Sequence, residues 1–344
     1  MSENPQTPIY EMSFNVLAAW QAHSLSTAGS NGSNRVMPRR QLLADKSETD
    51  ACSGNIAKHH HAALVAEYLA ADGNPLCPAC RVGDGRRAAA LLDRPDYGNL
   101  SFERIMCECA LCDTHGFLVT AKNADSEMST GARQKISKQT LIDFSYALAL
   151  PERHAETGQL HTRNGASKEE GQMLMKITAR SGEYALCVRY RCVGIGADTE
   201  QWLLYVKDQA QREKRHRAVL RALRDTLVSP DGAQVATMLP HLTRLSGAIA
   251  VRTGVGRAPL YSALESDFVT HLQAMADETC QVYPFETIDA FYHLMNTFIA
   301  TSVPALHPFW KASQLSKDTQ EQRDDTGATA TNNTAAVYPG VDGR

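Results

Sequence analysis

Two cysteine pairs constrain this chain more than any other feature. Cys77-Pro-Ala-Cys80 sets two thiols on one tight turn, and Cys109-Ala-Leu-Cys112 repeats the arrangement further along. Five of the nine cysteines fall between residues 77 and 112. Two such knuckles can hold four thiolates tetrahedrally around Zn²⁺. The pattern therefore points to a structural zinc held by Cys77, Cys80, Cys109 and Cys112, with Cys107 and His115 as spare ligands. Buried free thiols and a redox Cys-x-x-Cys are the competing readings, and two pairs plus a fifth cysteine in one window favour the metal. No His-x-Glu precedes Cys77, so the zinc-deaminase signature is missing and the site reads as structural.

The remaining composition bounds the setting. The 344 residues are 43% apolar, enough for a sizeable core and against disorder throughout. A formal charge of −3 excludes a uniformly basic nucleic-acid coat but leaves room for local basic patches. No apolar run approaches the roughly 18 residues that cross a bilayer, so no membrane partner is expected. The N-terminus lacks a secretory pattern, and the expected compartment is cytoplasmic.

Periodicity gives the order of elements. Tyr10, Met12, Phe14 and Val16 alternate with polar residues, a half-buried strand. Ser24 to Asp50 is rich in Ser, Gly, Asn and Arg and reads as a long surface loop. Ser53 or Asn55 can cap a helix through residue 70 with Ile56, Leu64 and Tyr68 on its apolar stripe, stopped by Asp72-Gly73-Asn74-Pro75. The cysteine-rich insert, residues 73–114, follows, and GFLVTA is a strand. Ile142, Phe144, Tyr146 and Leu148 form another. Residues 151–172 are polar and Gly-rich. Strands at 173–179 and 184–193 make a hairpin turning at Arg180-Ser181-Gly182-Glu183. A long amphipathic helix spans 200–227, and its basic run reads as a solvated face. A short strand covers 247–253, helical patterns cover 261–278 and 285–301, and 313–344 is expected to be a disordered tail. Stripped of inserts, this is an α+β, ferredoxin-like (RRM-like) βαββαβ plan with one strand too many. Its palm comprises residues 1–72, 115–150 and 173–312. One face of such a sheet carries helices and the other is free for RNA.

Three polar segments suit a sugar-phosphate chain. Asn31, Asn34, Arg35, Arg39 and Arg40 concentrate guanidinium forks and amides without an acid. Asn55, Lys58 and His59 sit at a helix start, where free N–H groups attract anions. His161, Arg163 and Asn164 repeat this chemistry in the 151–172 segment. A solvated loop and an ordinary helix cap are the bland alternatives. No nucleophile elbow, phosphate loop, zinc-protease motif or dinucleotide fingerprint occurs. A metal-independent RNA-processing endonuclease using His23 or one of His59–His61 as base is the runner-up, and a zinc-ribbon nucleic-acid-binding regulator the third reading.

Taken together, Phe14 to Arg40, SGNIAKHHHA (53–62), the cysteine knuckle running into Cys112-Asp113-Thr114-His115-Gly116-Phe117-Leu118, and HTRNGA (161–166) resemble the CRISPR-associated Cascade backbone subunits, the "Cas seven" group of the RAMP superfamily that includes the DevR-type autoregulators. The resemblance spans residues 9–265. It implies a palm with an inserted finger (73–114) and a thumb (151–172). It also implies a homo-oligomeric filament along a crRNA guide, assembly with other Cascade subunits, and target DNA read by guide pairing. The related type III subunits cut RNA with an aspartate in the loop after the first strand. Residues 24–37 contain no Asp, which favours a non-enzymatic binding role.

Overall fold

The alternation at residues 9–18 resolves into a strand that runs on to His23. The computed structural model describes residues 6–31, 35–94, 100–120, 135–164, 172–201 and 203–310. After β1 (Thr7–Ile9), β2 (Glu11–His23) buries Met12, Phe14, Val16, Ala18 and Trp20 in the main core, while Ser13 and Asn15 are buried on its other face. The segment expected to be a loop instead contains β3 (Thr27–Asn31), β4 (Arg35–Pro38), β5 (Arg40–Leu42) and β6 (Glu48–Cys52). Its polar, Gly-rich side chains hide strand character because the pairing is carried by the main chain, which composition does not report.

Helix α1 (Gly54–Ala71) is capped by Ser53, whose Oγ accepts from the Asn55 N–H at 3.3 Å. A Cβ at Gly54 would lie 2.5 Å from the Phe144 carbonyl, so only glycine lets the helix start this close to the sheet. The buried row of α1 is His61, Ala62, Val65 and Leu69, while the expected stripe of Ile56, Leu64 and Tyr68 is half-buried. The cysteine-rich insert is helical: α2 (Pro78–Arg81), a 3₁₀ turn at Arg87–Asp93, α3 (Phe102–Glu108) and α4 (Ala110–His115). Among the described residues β7 (Phe117–Thr120) pairs with β8 (Lys135–Lys138) alone, in a separate ribbon. The main sheet nevertheless has more strands than the four of a βαββαβ plan, seven of them along its main path.

β9 (Ile142–Phe144), β10 (Ala147–Asn164) and β11 (Gln172–Tyr190) complete the middle of the chain. The expected turn at 180–183 does not form. β11 passes straight through it with a bulge between Arg180 and Gly182, because Arg180 is pinned inside the core. The polar 151–172 segment is mostly the end of β10, paired with β11 from His154 opposite Gly182 out to Asn164 opposite Gln172. Residues 165–171 lie outside the described residues.

β12 (Ala197–Asp198) and β13 (Leu203–Leu204) form a small ribbon ahead of α5 (Gln209–Val228), so the long helix starts later than its pattern predicts. β14 (His241–Arg252) is longer than expected. α6 (Phe268–Ala274), β15 (Cys280–Phe285), α7 (Ile288–Thr301) and β16 (Ser302–Pro304) end this unit, with β15 lying in the gap between the two expected helical patterns. The main sheet runs β15–β14–β2–β11–β10–β6–β5, and neighbours along this path are antiparallel. α1 and α5 contribute Val65, Leu69, Val219, Leu220 and Leu223 to the same core as the even residues of β2. The fold is mixed α and β. Residues 307–344 form a second unit, of which 307–310 are described; the expected tail lies outside the described residues.

Candidate nucleic-acid interface and metal centre

The four knuckle cysteines converge. Cys77 precedes α2 with Pro78 at the first helical position, and Cys109 precedes α4, its Sγ accepting from the Cys112 N–H at 3.4 Å. Each pair thus has one thiol at a helix start and the other a turn later, on the same side. The Ala110 N–H donates to the Pro75 carbonyl at 2.9 Å and ties the knuckles together. All four thiols are buried, their sulfurs lie within 4.8 Å of one another, and Cys80 and Cys112 are 3.6 Å apart. Zn–S bonds of about 2.3 Å set tetrahedral sulfurs ~3.8 Å apart, so the tetrad has the donor set and spacing for a structural metal. Hydrogen bonding with Cys109 leads the shifts that lower the Cys77 thiol and raise Cys80 and Cys112. Neither spare ligand joins: Cys107 is exposed, and His115 Nε2 meets His61 Nδ1 at 3.0 Å.

Behind the tetrad lies a buried charge cluster. Asp113 accepts from Lys138 Nζ at 2.5 Å, Arg215 Nη1 at 2.8 Å and the Gly196 N–H. Burial alone would raise this carboxyl, but Lys138 and Arg215 outweigh it and hold it below its ordinary value. This corrects the reading of α5 as a solvated basic face. Arg212, Arg215 and His216 are buried, with Arg212 donating to the carbonyls of Ile195 and Ala305 and His216 set between Tyr190 and Ser302.

The fold joins two of the three predicted polar segments. Asn31 pairs with Arg35 across β3 and β4, and Arg35 is in turn opposite Lys176 on β11. His161, Arg163 and Asn164 lie further out on β10, opposite Met175, Met173 and Gln172. Asn34 and the side chains of Asn31, Arg35, His161, Arg163 and Asn164 lie outside the described residues. Arg40 is ion-paired to Glu156 on β10. Arg39 is half-buried and donates to Ser26 Oγ (3.1 Å) and the Thr27 carbonyl (2.9 Å). Ser26 Oγ also accepts from the Ser53 N–H, which links this strand to the start of α1. Asn55 and His59 are exposed there. Lys58 is separate: it lines a cleft with Arg86 and Arg87 of the cysteine-rich insert, a partnership no spacing in the sequence announces.

The outer β10–β11 ladder, an arm that begins at His154 and Gly182, is anchored by a second buried network, also missed by sequence reasoning because its members are remote in the chain. Arg180 Nη1 and Tyr184 Oη donate to the two Asp50 oxygens, each at 2.6 Å, and Arg180 Nη2 donates to the Ser26 carbonyl. His23 Nε2 meets Tyr184 Oη at 2.9 Å, its Nδ1 accepts from the Leu25 N–H, and burial drives its pKa down to about 3. Enclosed and fully bonded, His23 offers no base to a substrate. The sheet face away from α1 and α5 is only half open. Residues 257–261 cover one end, with Arg257 on Glu11 and the Tyr261 N–H on Asn15. An open depression lined by Gln21, Arg153, Glu183 and Arg244 remains at the other.

Residues 14–271 match the family described as CRISPR-associated negative auto-regulator DevR/Csa2. Comparison with curated proteins finds no match. Matching solved structures include a CRISPR RNA-guided surveillance complex in a pre-nicking state, at 11% identity and TM-score 0.44, over 84% of this chain and 99% of that one. A second CRISPR RNA-guided surveillance complex matches at 12% identity and TM-score 0.43, over 84% and 98%. Among the described residues no helix is long and apolar enough to cross a membrane.

Proposed function

The chain belongs to the CRISPR-associated DevR/Csa2 family, and from that premise we propose that it is a non-enzymatic crRNA-binding backbone subunit of a Cascade-like effector. In this reading copies polymerise along the guide with other Cascade subunits in the cytoplasm. Each grips ribose-phosphate, and the exposed bases pair with target DNA. The protein reads backbone shape and the guide reads sequence. The observation that carries the proposal is the joining of two remote segments into one cation-bearing projection: Arg35 opposite Lys176, Arg40 beside Glu156, and the outer β10–β11 ladder beyond them. Guanidinium groups carried on a paired ladder can meet phosphate oxygens without further ordering of the main chain.

The strand order β14–β2–β11–β10, with α1 and α5 sharing one core with β2, supports a ferredoxin-like palm. The β10–β11 arm then serves as the thumb, and the tetrad holds Zn²⁺ in the finger insert as a fold-stabilising ion. Co-expression with a repeat–spacer transcript tests the proposal. The expected product is an elongated assembly carrying discrete guide-length RNA. A nucleotide-free single copy overturns it, specific cleavage of repeat RNA lost on His→Ala substitution replaces it with the endonuclease, and preference for duplex DNA replaces it with the regulator.

A further inference from the structure

A row of paired residues crosses the sheet where the arm begins. Leu242 on β14, Trp20 on β2, Gly182 on β11 and His154 on β10 face one another in succession. Beside this row each of the ladders between them slips out of register. β14 carries an extra residue, Thr243, between Leu242 and Arg244. β2 takes one step more from Trp20 to His23 than β11 takes from Gly182 to Arg180. β10 sets residues 150–153, with Pro151 among them, opposite the single residue Glu183 of β11. Ala22, next to the row, has a φ of 54°, a left-handed conformation uncommon away from glycine, and its N–H donates to Ser181 Oγ at 3.0 Å. One bulge bends a strand. Bulges in adjoining ladders make a line along which regular pairing is already interrupted, so bending there disrupts the fewest hydrogen bonds. Outward from the line the ladder is unbroken from His154 to Asn164 and has to move as one piece.

At this line the two faces of the sheet are held differently. On the core face Arg180 and Tyr184 share the buried Asp50 carboxylate, a fixed point. On the open face Glu183 is the centre of a clasp: its Oε2 accepts from Arg153 Nη1 at 2.8 Å, and its Oε1 meets Arg244 Nη2 at 2.7 Å. Arg153 belongs to the inserted residues of β10, and Arg244 follows the extra residue of β14. One carboxylate therefore joins the outer strands of the row across the open depression. The Arg153 and Arg244 side chains are 61% and 46% accessible, and ion pairs this wet hold weakly. We infer that the arm swings about this row as one piece, with Asp50, Arg180 and Tyr184 as the pivot and the Arg153–Glu183–Arg244 clasp holding its angle. The swing runs toward and away from the open face. It requires no nucleic acid and holds whether or not the guide-binding reading does.

The test uses the full chain without RNA. Nitroxides on unnatural amino acids replace Leu160 on the arm and Met275 after α6, both exposed, which leaves the cysteines untouched. The dipolar distance distribution between them reads the arm's angle, and hydrogen exchange at residues 156–162 reads its ladder. The wild type should give one narrow distribution at low salt. Glu183→Gln should at least double its width while ladder protection and melting temperature stay unchanged. Arg153→Gln, at a side chain too exposed to threaten the fold, should do the same. Salt at about 1 M, where the Debye length is about 3 Å, should widen the wild-type distribution. An unchanged width in both variants overturns the inference. So does widening accompanied by lost protection at residues 156–162, which is fraying and not a swing. A wild type already broad at low salt also overturns it, since the clasp then holds no angle.

Discussion

The cysteine-rich insert and the β10–β11 arm are both additions to one sheet-and-helix frame, and they are held by different forces. Among the described residues the insert is built of short helices, none longer than 7 residues, too short to persist alone in water. Its order depends on four converging sulfurs and on Asp113 locked between Lys138 and Arg215. The arm has an unbroken main-chain ladder from His154 to Asn164, and its root is fastened by side chains, through Asp50, Arg180, Tyr184 and His23. A chemical staple should fail all at once, whereas a ladder frays from its tip.

Metal removal should separate the two regions most sharply. Structural zinc in small fingers contributes apparent binding energies of about 10–16 kcal/mol, so stripping a bound metal or substituting Cys112→Ala should unfold the insert. Hydrogen exchange should then rise across residues 76–115 and stay unchanged in residues 154–160. One metal per chain by elemental analysis is expected. A folded chain that carries no metal, with all nine thiols titrating once it is unfolded, breaks the comparison at its root.

The next effect lies at the arm's root. Asp50→Asn leaves the Arg180 guanidinium buried with its charge unmatched and should cost about 3–5 kcal/mol in denaturant unfolding. Exchange should quicken along the arm while metal content holds. If the arm is unaffected, the ladder alone holds it.

Acid probes the same root more gently. His23 is neutral in the fold because burial, aided by Arg180, lowers its pKa to about 3, against an unfolded value of about 6.5. Below that value the unfolded chain binds a proton that the folded chain refuses, so stability falls as pH drops from about 6.5 toward 3. The loss is at most about 1.4 kcal/mol per pH unit for one imidazole. His23→Gln should remove that share of the slope. His61 and His216, also lowered to about 3 by burial, should leave a residual slope in the variant.

These regions also differ in how far the sequence reveals them. The knuckles are legible because metal ligation demands particular side chains at fixed local spacing, and all four cysteines meet as expected. The first strand and α1 are legible through alternation and capping. The β3–β6 segment is not, because Ser, Gly, Asn and Arg pair through their main chains and leave no hydrophobic period. The supposed turn at 180–183 misleads for a related reason: Ser181 and Gly182 have turn composition, but the partner that keeps Arg180 in place, Asp50, is remote in sequence. Charge alone misleads in α5, where Arg215 looks solvent-facing until Asp113 is placed beside it. The Lys58–Arg87 cleft is invisible for the same reason, since two cations from distant segments share no pattern.

The smallest predicted change is the most specific to RNA. Arg40 and Glu156 form a half-exposed ion pair, with side chains 32% and 25% accessible, where such a contact contributes only about 0–1 kcal/mol to stability. Glu156→Gln should therefore leave the unfolding midpoint nearly unchanged. In the guide-binding reading it has a second effect. The carboxylate holds the Arg40 fork and repels any phosphate that approaches it, so its neutralisation frees one guanidinium on the arm. RNA binding should tighten several-fold and the salt slope should steepen by about 0.7, the amount expected for one added phosphate contact on a single strand. Chelating the metal should leave this gain intact if arm and insert bind independently, and should erase it if the guide must also reach the Lys58–Arg87 cleft.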